Sequence, residues 1–372
     1  MRAGRLVTMP AMRCESLRWL GCTLLVCLLA TGRPGFAGEG TAAMPTVDLD
    51  SAVKTGAGLP RMRSLLVTWR GELIVERYFH STRATSLEDI KSASKSVISA
   101  LVGIAIGHGI LPGVDAPIAS YFPELGGPAV DARKRQITIA DLLTMRSGLA
   151  STSRQNYGAW VQSPNWVRYV LSRPLLSPPG EQMDYSTGNT HLLSAILTMA
   201  SRQDTWSLAE EELAKPLGFT LARWARDPQG VYFGGNEMLM TPREMLKFGE
   251  LYLHRGQIDG RQIVPTAWVA DSFTARTQSP ISGHQYGYGW WMDEMEGHRV
   301  YFAWGFGGQY IFVVPDLQLV VVTTSSVSLG EDRREHRDAV YDLVDHLVVG
   351  SIAAEVDRST RTSDSGVRHG TN

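Results

Sequence analysis

Strand-like patterns lie near both ends of this chain, and a long stretch with helical periods separates them. The five candidate strands are residues 64–69, 72–79, 298–302, 309–314 and 318–324. They can form one antiparallel sheet only if the chain leaves the sheet and later returns to it. The pattern therefore predicts an α+β fold: an antiparallel sheet flanked by helices, a mostly helical domain inserted over about residues 110–270, and a cleft between the two.

The segments outside this pattern suggest the domain boundaries. We expect a leader over residues 1–37, a linker over 38–62, the main domain over 63–350 and a disordered tail over 351–372, which is polar and rich in Ser and Thr. Residues 332–348 read as a closing helix. The longest internal apolar segment, from Val97 to Leu111, reads as a helix whose Gly103 and Gly107 allow another element to pack closely.

The first residues have the features of a secretory signal peptide. Several arginines precede the apolar residues 19–30, and small residues follow up to Ala37, where signal peptidase would cleave. The apolar stretch is too short to span a bilayer as a settled helix. We expect an exported protein, periplasmic in a bacterium, with no stable membrane span after cleavage. An uncleaved anchor is the alternative.

Composition excludes several classes of function. All three cysteines lie in the leader, so the mature protein has no disulfide framework, no thiolate nucleophile and no cysteine metal site. The formal net charge of -1 gives no reason to expect a nucleic-acid partner. The nine histidines are dispersed and no His-Glu-x-x-His motif occurs, so we expect no zinc site. The sequence leaves the oligomeric state open.

The strongest candidate for chemistry is the pair Ser92 and Lys95 at the start of the long apolar segment. Residues three apart share one face of a helix, so the hydroxyl and the amine would point into one site. A desolvated lysine can become a neutral amine that takes a proton from a hydroxyl, which arginine cannot do. At a helix start, the backbone N–H of Ser92 can also face an anion.

The Ser-x-x-Lys spacing occurs a second time, at Ser51 and Lys54. There the chain continues into Gly56, Gly58 and Pro60, which favour a loop, and no apolar segment follows. We therefore interpret the Ser51 match as accidental. Other nucleophile signatures are absent: no Gly-x-Ser-x-Gly elbow occurs, and the glycine-rich residues 305–308 lack the Lys-Ser/Thr ending of a phosphate loop.

Tyr185 is a second candidate for proton transfer. It lies in a turn-rich stretch just before an apolar helix over residues 192–199, which favours a loop edge over a core position. A phenol near a lysine can have a lowered pKa and pass protons, so Tyr185 can serve as a partner base to Lys95. The alternative is a loop tyrosine that only packs its ring.

Several motifs together resemble the serine beta-lactamase-related family, which includes class C beta-lactamases, D-alanyl-D-alanine carboxypeptidases, carboxylesterases and 6-aminohexanoate-dimer hydrolases. The matching segments, in the family's order, are residues 92–95, 137–149, 179–186, 215–219, 240–249, 286–290 and 305–309. The resemblance spans roughly residues 66–326. It implies a beta-lactamase/transpeptidase-like fold and a serine hydrolase that acts on a small-molecule ester or amide.

The resemblance also assigns roles to residues. Ser92 would be the acylated nucleophile and Lys95 with Tyr185 the general base. The backbone N–H groups of Ser92 and Phe306 would form the oxyanion hole, where each donor is typically worth about 3 kcal/mol to the transition state. Water would then hydrolyse the acyl-enzyme, so the resemblance implies a reaction that needs no metal and no organic cofactor.

Departures from the family bear on the substrate. Class C beta-lactamases have Tyr-x-Asn, but the third position here is Thr187, and Asn189 lies two residues further on. Their Lys-Thr-Gly corresponds to Trp304-Gly305-Phe306, so an aromatic ring replaces the cation that pairs with a beta-lactam carboxylate. This pattern favours an esterase or amidohydrolase. Further candidates for lining the pocket are Asn236, Tyr157 and Trp160.

Two other functions stay open at this stage. One is a D,D-peptidase or beta-lactamase that acts on cell-wall peptides or beta-lactams. The other is a penicillin-recognising module that binds its ligand without turnover. The intact set of Ser92, Lys95 and Tyr185 argues against a module, because binding alone does not need a titratable lysine.

Overall fold

Both ends of the described chain contribute strands to one antiparallel sheet in the computed structural model. The structure describes residues 47–328, 330 and 332–367, with backbone only for residues 333 and 362–367. The predicted leader and the start of the predicted linker lie outside the described residues. The strands, in chain order, are β1 (Met62–Trp69), β2 (Glu72–Tyr78), β3 (Glu88–Asp89), β4 (Leu239–Met240), β5 (Gln257–Ile258), β6 (Arg261–Gln262), β7 (Thr277–Gln278), β8 (Gln285–Tyr286), β9 (Trp291–Met295), β10 (His298–Gly305), β11 (Gln309–Val314) and β12 (Leu319–Ser325).

The order of strands in the main sheet is β2-β1-β12-β11-β10-β9-β8-β7. Strand β1 therefore pairs with β12, with Leu66 opposite Val322, so the chain leaves the sheet and returns to it as predicted. The five strands expected from sequence all form. Strands β7, β8 and β9 extend the sheet beyond them, so the α+β prediction is confirmed and the sheet is wider than expected.

Alternation along the central strands places apolar side chains on both faces of the sheet. In β12, Val320 and Val322 face one hydrophobic core, whereas Leu319 and Val321 face a second. Side chains of a strand alternate between faces, so a continuous run of valines covers both. The sheet is thus the middle layer between two sets of helices.

The helices fill the segments between the strands and close the chain. They are α1 (Asp50–Gly58), α2 (Ser94–Gly107), α3 (Ile139–Leu143), α4 (Tyr157–Val161), α5 (Trp166–Ser172), α6 (Thr187–Ser201), α7 (Thr205–Ala209), α8 (Pro242–Leu253), α9 (Thr266–Ser272), α10 (Arg333–Asp342) and α11 (Gly350–Val367). A π-helical segment, Leu343–Val349, joins the last two. No helix among the described residues is long and apolar enough to cross a membrane.

Helix α2 runs through the centre of one core. Apolar residues surround it, as in a helix buried on all sides. The hydroxyls of Ser96 and Ser99 donate to the carbonyl oxygens of Gly289 and Tyr288 at 2.6 and 2.7 Å. A Cβ on Gly103 would lie 2.3 Å from the ring of Trp268, which confirms the predicted close packing. These contacts fix the helix that begins beside Ser92.

The middle of the chain is mostly helical, as expected, but part of it belongs to the sheet layer. Helix α8 lies inside the predicted insertion and packs directly on β11 and β12. A Cβ on Gly249 of this helix would lie 2.6 Å from Val320. The remaining helices, together with α2, surround the core under the cleft.

Two sequence predictions about the ends of the domain are wrong. Residues 50–58, read as loop, form α1, because Ala52 is buried in the second core. Ser51 and Lys54 lie on its exposed side. The tail over residues 351–372, read as disordered, is helical up to Val367, because Ile352 packs into the same core, and residues 368–372 lie outside the described residues. Local composition favoured loop and disorder, and burial against the sheet outweighed it.

Candidate active site

The candidate nucleophile lies on a tight turn that leads into α2. Ser92 is the middle residue of a 3₁₀ turn, Lys91–Ala93. Lys91 has a φ of 50°, a left-handed conformation that is rare outside glycine. Its ammonium group lies 2.5 Å from Asp89 and 2.9 Å from Glu237. These ion pairs hold the strained turn against the neighbouring chain segment.

Lys95 lies beneath Ser92 and is almost completely buried, at 1% exposure. Its Nζ is 3.1 Å from Ser92 Oγ, 3.2 Å from Thr187 Oγ1 and 2.6 Å from the carbonyl oxygen of Gly235. Burial lowers the pKa of Lys95 to about 7. A neutral amine has two N–H groups and one lone pair. If the two N–H groups donate to the Gly235 carbonyl oxygen and to Thr187 Oγ1, the lone pair is left to accept the hydrogen of the Ser92 hydroxyl.

Tyr185 lies two residues before α6 and beside the same serine. Its ring is 5.1 Å from Lys95 Nζ and stacks on Trp291 at 5.7 Å. Burial raises the pKa of the Tyr185 hydroxyl, and a hydrogen bond with Ser92 opposes this only in part. The expectation of a lowered pKa is therefore wrong, because desolvation disfavours the phenolate and no cation compensates. In this state Tyr185 is a proton donor.

Thr187 fills the position where class C beta-lactamases have asparagine. Besides its contact with Lys95, its Oγ1 lies 3.1 Å from Ser153 Oγ, which in turn accepts from the Thr187 N–H at 2.9 Å. Asn189 lies further along α6, where its Oδ1 accepts from Ser147 at 3.1 Å. Thr187, and not the displaced asparagine, therefore contacts the lysine.

The segment predicted to supply the second oxyanion donor passes close to the nucleophile turn. A Cβ on Gly305, at the end of β10, would lie 2.1 Å from the carbonyl oxygen of Ile90, two residues before Ser92. Only glycine allows this approach. Phe306 follows in a turn with Gly307, and both line the same cleft as Ser92. The fold thus places Phe306 and Ser92 on one cavity.

The cleft above Ser92 has a volume of about 340 Å³. Its walls combine aromatic rings with arginines, and no carboxylate is among its described residues. The lining residues are Ser92, Arg154, Tyr185, Ser279, Ile281, Ser282, Trp291, Trp304, Phe306, Gly307, Arg334 and Arg337. Trp304 stacks on Tyr310 at 6.0 Å and meets Trp291 at 5.6 Å. The cleft suits a ligand that is partly apolar and partly anionic.

Sequence reasoning missed the three arginines of the lining, and also Ser279, Ile281, Ser282 and Trp291. Arg154 comes from the helical middle, and Arg334 and Arg337 come from α10. Arg337 pairs with Asp338 at 2.5 Å, whereas Arg154 and Arg334 form no ion pair with a described residue. Arg154 is far in sequence from the two arginines of α10, and none of the three belongs to a motif, so no local signal could have placed them in one cleft.

Three predicted pocket residues lie outside this lining. Asn236 Nδ2 donates to the hydroxyl of Tyr157 at 2.6 Å, and burial raises the pKa of that tyrosine. Trp160 is fully buried in the core. Tyr157 and Trp160 meet edge to face at 5.9 Å. The three residues thus contact one another, and none of them is among the described residues that line the cleft.

One group of described side chains has the arrangement of metal ligands, and it is not part of the cleft. Glu296, Asp345 and His346 place ligand atoms within 4.8 Å of one another. His346 Nδ1 already pairs with Glu296 at 2.8 Å. This contact between His346 and Glu296 is an ordinary surface ion pair, and none of the three residues lines the cleft above Ser92.

The fold and this site define a class: an antiparallel sheet with a helical insertion, and a Ser-x-x-Lys pair at the start of a buried helix. The sequence profile of the family described as Beta-lactamase matches residues 60–345, and the chain belongs to this family.

Solved structures share the fold at low sequence identity. A beta-lactamase from Mycobacterium bovis is 18% identical, with a TM-score of 0.59, over 82% of this chain and 99% of that one. A family VIII carboxylesterase is 16% identical, with a TM-score of 0.61, over 79% and 96%. A penicillin-binding protein homologue from Pyrococcus abyssi, described as octameric, is 19% identical, with a TM-score of 0.61, over 80% and 76%. No curated protein sequence matches the chain.

Proposed function

We propose that this protein is an exported serine hydrolase that cleaves an ester or amide through an acyl-enzyme on Ser92. The observation that carries the proposal is the contact of Lys95 Nζ with Ser92 Oγ at 3.1 Å, at a position where burial brings the pKa of the lysine to about 7. A general base is most effective when its pKa lies near the working pH. A buried lysine without a counter-charge has no evident structural purpose here.

In the proposed reaction, Lys95 takes the proton of Ser92 while the serine oxygen forms a bond to the substrate carbonyl carbon. The backbone N–H groups of Ser92 and Phe306 hold the resulting oxyanion. The leaving group departs with a proton from Tyr185, whose raised pKa keeps it protonated. Tyr185 regains its proton from Lys95. Water then attacks the acyl carbon while Lys95 takes a proton from it. The bond from that carbon to Ser92 Oγ breaks, and Lys95 returns the proton to Oγ.

The cleft walls favour a substrate with an apolar part. Trp291, Trp304 and Phe306 line it, and Phe306 is 40% exposed. Aromatic rings of this kind contribute mainly by removing apolar surface from water. We therefore favour an ester or amide whose acyl or leaving group is hydrophobic. This agrees with the esterase or amidohydrolase predicted from Trp304.

The arginines favour a second candidate, a D,D-peptidase or beta-lactamase. The substrates of these enzymes carry a carboxylate, and the sequence argument against them was that Trp304 replaces the required cation. Arg154, Arg334 and Arg337 supply cations to the same cleft from other elements. Guanidinium groups bind carboxylates bidentately. An anionic group on the substrate is thus compatible with the site.

One experiment tests the hydrolase itself. Purified protein and the Ser92→Ala variant are assayed on p-nitrophenyl butyrate, a linear amide, a D-alanyl-D-alanine peptide and nitrocefin, and intact mass is measured after a fluorophosphonate probe. We expect turnover and a single adduct on Ser92, both lost in the variant. Labelling of another serine would contradict the proposal. Tight ligand binding without any adduct would support a binding module instead.

A matched set of variants separates the two candidates. Arg154→Gln and Arg334→Gln remove cleft cations, and Arg135→Gln removes an exposed arginine that does not line the cleft. If the substrate is anionic, the first two variants raise KM for the peptide and nitrocefin and leave the neutral ester unchanged. Equal effects on KM for neutral and anionic substrates would show that these arginines do not bind a substrate carboxylate.

Export is part of the proposal and has its own test. The leader ends in small residues near Ala37, so the mature protein recovered from a bacterial periplasm should begin just after it. N-terminal sequencing of the periplasmic fraction would give this end directly. A protein that keeps its first residues and stays with the membrane would favour the uncleaved anchor.

A further inference from the structure

A buried imidazole–carboxylate pair lies one layer behind the proposed active site. His191, in α6, and Asp227 both have fully buried side chains, with His191 Nε2 at 3.1 Å from Asp227 Oδ2. The other oxygen, Oδ1, accepts the backbone N–H groups of Gln229 and Val231 at 2.9 and 2.8 Å. The carboxylate therefore closes the turn that follows it and at the same time holds one nitrogen of the ring.

The second ring nitrogen fixes the tautomer. His191 Nδ1 faces the backbone N–H of Gly234 at 3.4 Å. Because Gly234 is a donor, Nδ1 must be the acceptor, and the hydrogen of the neutral imidazole is on Nε2, directed at Asp227. Trp160, Trp166 and Phe233 pack around the ring and exclude water. Both nitrogens thus have one defined role.

The residue after Gly234 contacts the proposed base. The carbonyl oxygen of Gly235 is the nearest partner of Lys95 Nζ, at 2.6 Å. A Cβ on Gly235, which has a φ of 93°, would lie 2.8 Å from Lys95 Cγ. A Cβ on Gly234 would lie 2.2 Å from the carbonyl oxygen of Thr190. The two glycines are held between α6 and the lysine stem with no spare room.

We propose that His191 and Asp227 are positioning residues, which hold the Gly234–Gly235 segment so that its carbonyl oxygen orients the Lys95 amine toward Ser92. The inference rests on the proposed function for the role of Lys95. The chain of contacts runs from Asp227 through the imidazole and the Gly234 N–H to the Gly235 carbonyl. Neither residue touches the cleft, so neither is a catalytic residue.

Among the described residues, the surroundings of Lys95 offer no other charged group for this task. The titratable side chains on the segments near it are Tyr185, Tyr286, Asp89, Lys91 and Glu237. Tyr185 and Tyr286 are both held protonated by burial. Lys91 pairs with both Asp89 and Glu237. Hydration of the amine is therefore the main variable that a shift of the glycine segment can change.

Asp227→Asn tests the tautomer with almost no change of shape. The amide oxygen stays on the two backbone N–H groups, so the NH₂ group faces His191 Nε2 and moves the ring hydrogen to Nδ1. There it opposes the N–H of Gly234. We expect the Gly234–Gly235 segment to move away and water to reach Lys95, which raises its pKa by about one unit. His191→Gln removes the Nδ1 acceptor and should act in the same direction.

The measurement does not depend on a substrate. The chain has six lysines, so protein labelled with ¹³C and ¹⁵N in lysine gives a resolvable set of side-chain signals, and Lys95 is assigned with Lys95→Arg. Its titration midpoint is compared in wild type, Asp227→Asn and His191→Gln. Thr205→Val is the control, since it removes a buried hydroxyl of the same region that contacts Ser194 and not Gly234. Folding of each variant is checked by its urea midpoint.

We expect an upward shift of the Lys95 midpoint in Asp227→Asn and His191→Gln, and none in Thr205→Val. The acid limb of kcat/KM for the ester should move upward with it, so that activity falls about fivefold at pH 7 and little at pH 9. An unchanged midpoint in a folded Asp227→Asn or His191→Gln overturns the positioning role. A shifted midpoint in a protein whose Ser92 is never acylated would leave the positioning intact and reject the hydrolase.

Discussion

At the scale of the residue, Lys95 is the side chain whose surroundings are least usual. It is buried, it has no carboxylate partner in the described part of the chain, and it contacts a carbonyl and two hydroxyls. Desolvation without a counter-charge favours the neutral amine, which is the form a base requires. Lys91, four residues earlier, lies between two carboxylates, and these partners raise its pKa. The pKa values of Lys91 and Lys95 are thus shifted in opposite directions, because only Lys91 has carboxylate partners among the described residues.

Lys95 makes the stability of the fold depend on pH. Its pKa is about 7 in the folded protein and about 10.5 when unfolded, so between these values the unfolded chain binds more protons. Stability is therefore lost as pH falls from about 10.5 to about 7. We expect Lys95→Met to be more stable than wild type at pH 7 by a few kcal/mol, with a smaller difference at pH 10. Urea unfolding at several pH values measures this.

Lys54→Met is the matched control, because Lys54 is exposed on α1. Its stability should follow the wild-type curve at every pH. A Lys95→Met variant that runs parallel to wild type between pH 7 and 10 would show that Lys95 is charged in the native state. It would then be a poor base.

Tyr185→Phe tests the role of the phenol. Removing a positioned proton donor typically lowers the rate by a hundredfold to ten-thousandfold, and we expect kcat/KM for an ester to fall by about this amount. Tyr286→Phe is the control: that ring is buried 6.5 Å from Tyr185, and its hydroxyl has no hydrogen-bond partner among the described residues. Wild-type rates in Tyr185→Phe would limit the tyrosine to packing.

At the scale of the element, helix α2 carries the site and strands β10 and β11 bound it. The strands were predictable because their apolar residues cover both faces of a sheet over short, turn-bounded runs. Helix α2 was predictable because its apolar run is too long for a strand. Helix α1 was not predictable, since Gly56, Gly58 and Pro60 favour a turn, and the burial of Ala52 and Gly56 against the sheet explains the helix.

The close approach of α2 to α9 gives a prediction at this scale. Gly103→Ala places a Cβ 2.3 Å from the Trp268 ring, and overpacking of this kind costs about 1–3 kcal/mol. Gly58→Ala is the matched change in α1, where a Cβ meets nothing within 4 Å. It should leave stability unchanged or raise it by up to about 1 kcal/mol. Urea midpoints measure both, and a neutral Gly103→Ala would contradict the packing.

At the scale of the whole molecule, the two ends of the described chain meet on one face of the sheet. Helix α1 and the helical segment from α10 to α11 share the second core, which includes Leu49, Val344 and Ile352. The opposite face holds α2, α6 and α8. The C-terminal segment is therefore part of the folded domain, and α10 also brings Arg334 and Arg337 to the cleft.

Ile352→Ala tests whether the last helix contributes to the fold. The side chain is fully buried, so its truncation should lower the free energy of unfolding by about 2–5 kcal/mol. Asp357→Ala, on the exposed side of the same helix, should have little effect. Thermal and urea unfolding give the comparison. Equal stability of the two variants would mean that the segment after residue 350 does not pack in solution.

The individual strands, the central helix and the pairing of Ser92 with Lys95 were predictable from the amino-acid sequence alone, because each depends on spacing within one short segment. Periods of two and of three to four residues are local, and they set which side chains share a face. The sequence also gave Tyr185 as a candidate, but with the wrong direction of its pKa shift.

The surroundings of Ser92 and Lys95 could be known only from the tertiary structure. The low pKa of Lys95, the protonated Tyr185, the arginines in the cleft and the support from His191 and Asp227 all depend on segments far apart in the chain. Desolvation and charge fall off over a few ångströms of space, whatever the separation in sequence. Local sequence patterns therefore identified the candidate catalytic residues, whereas packing determined their protonation states and the charge of the cleft that surrounds them.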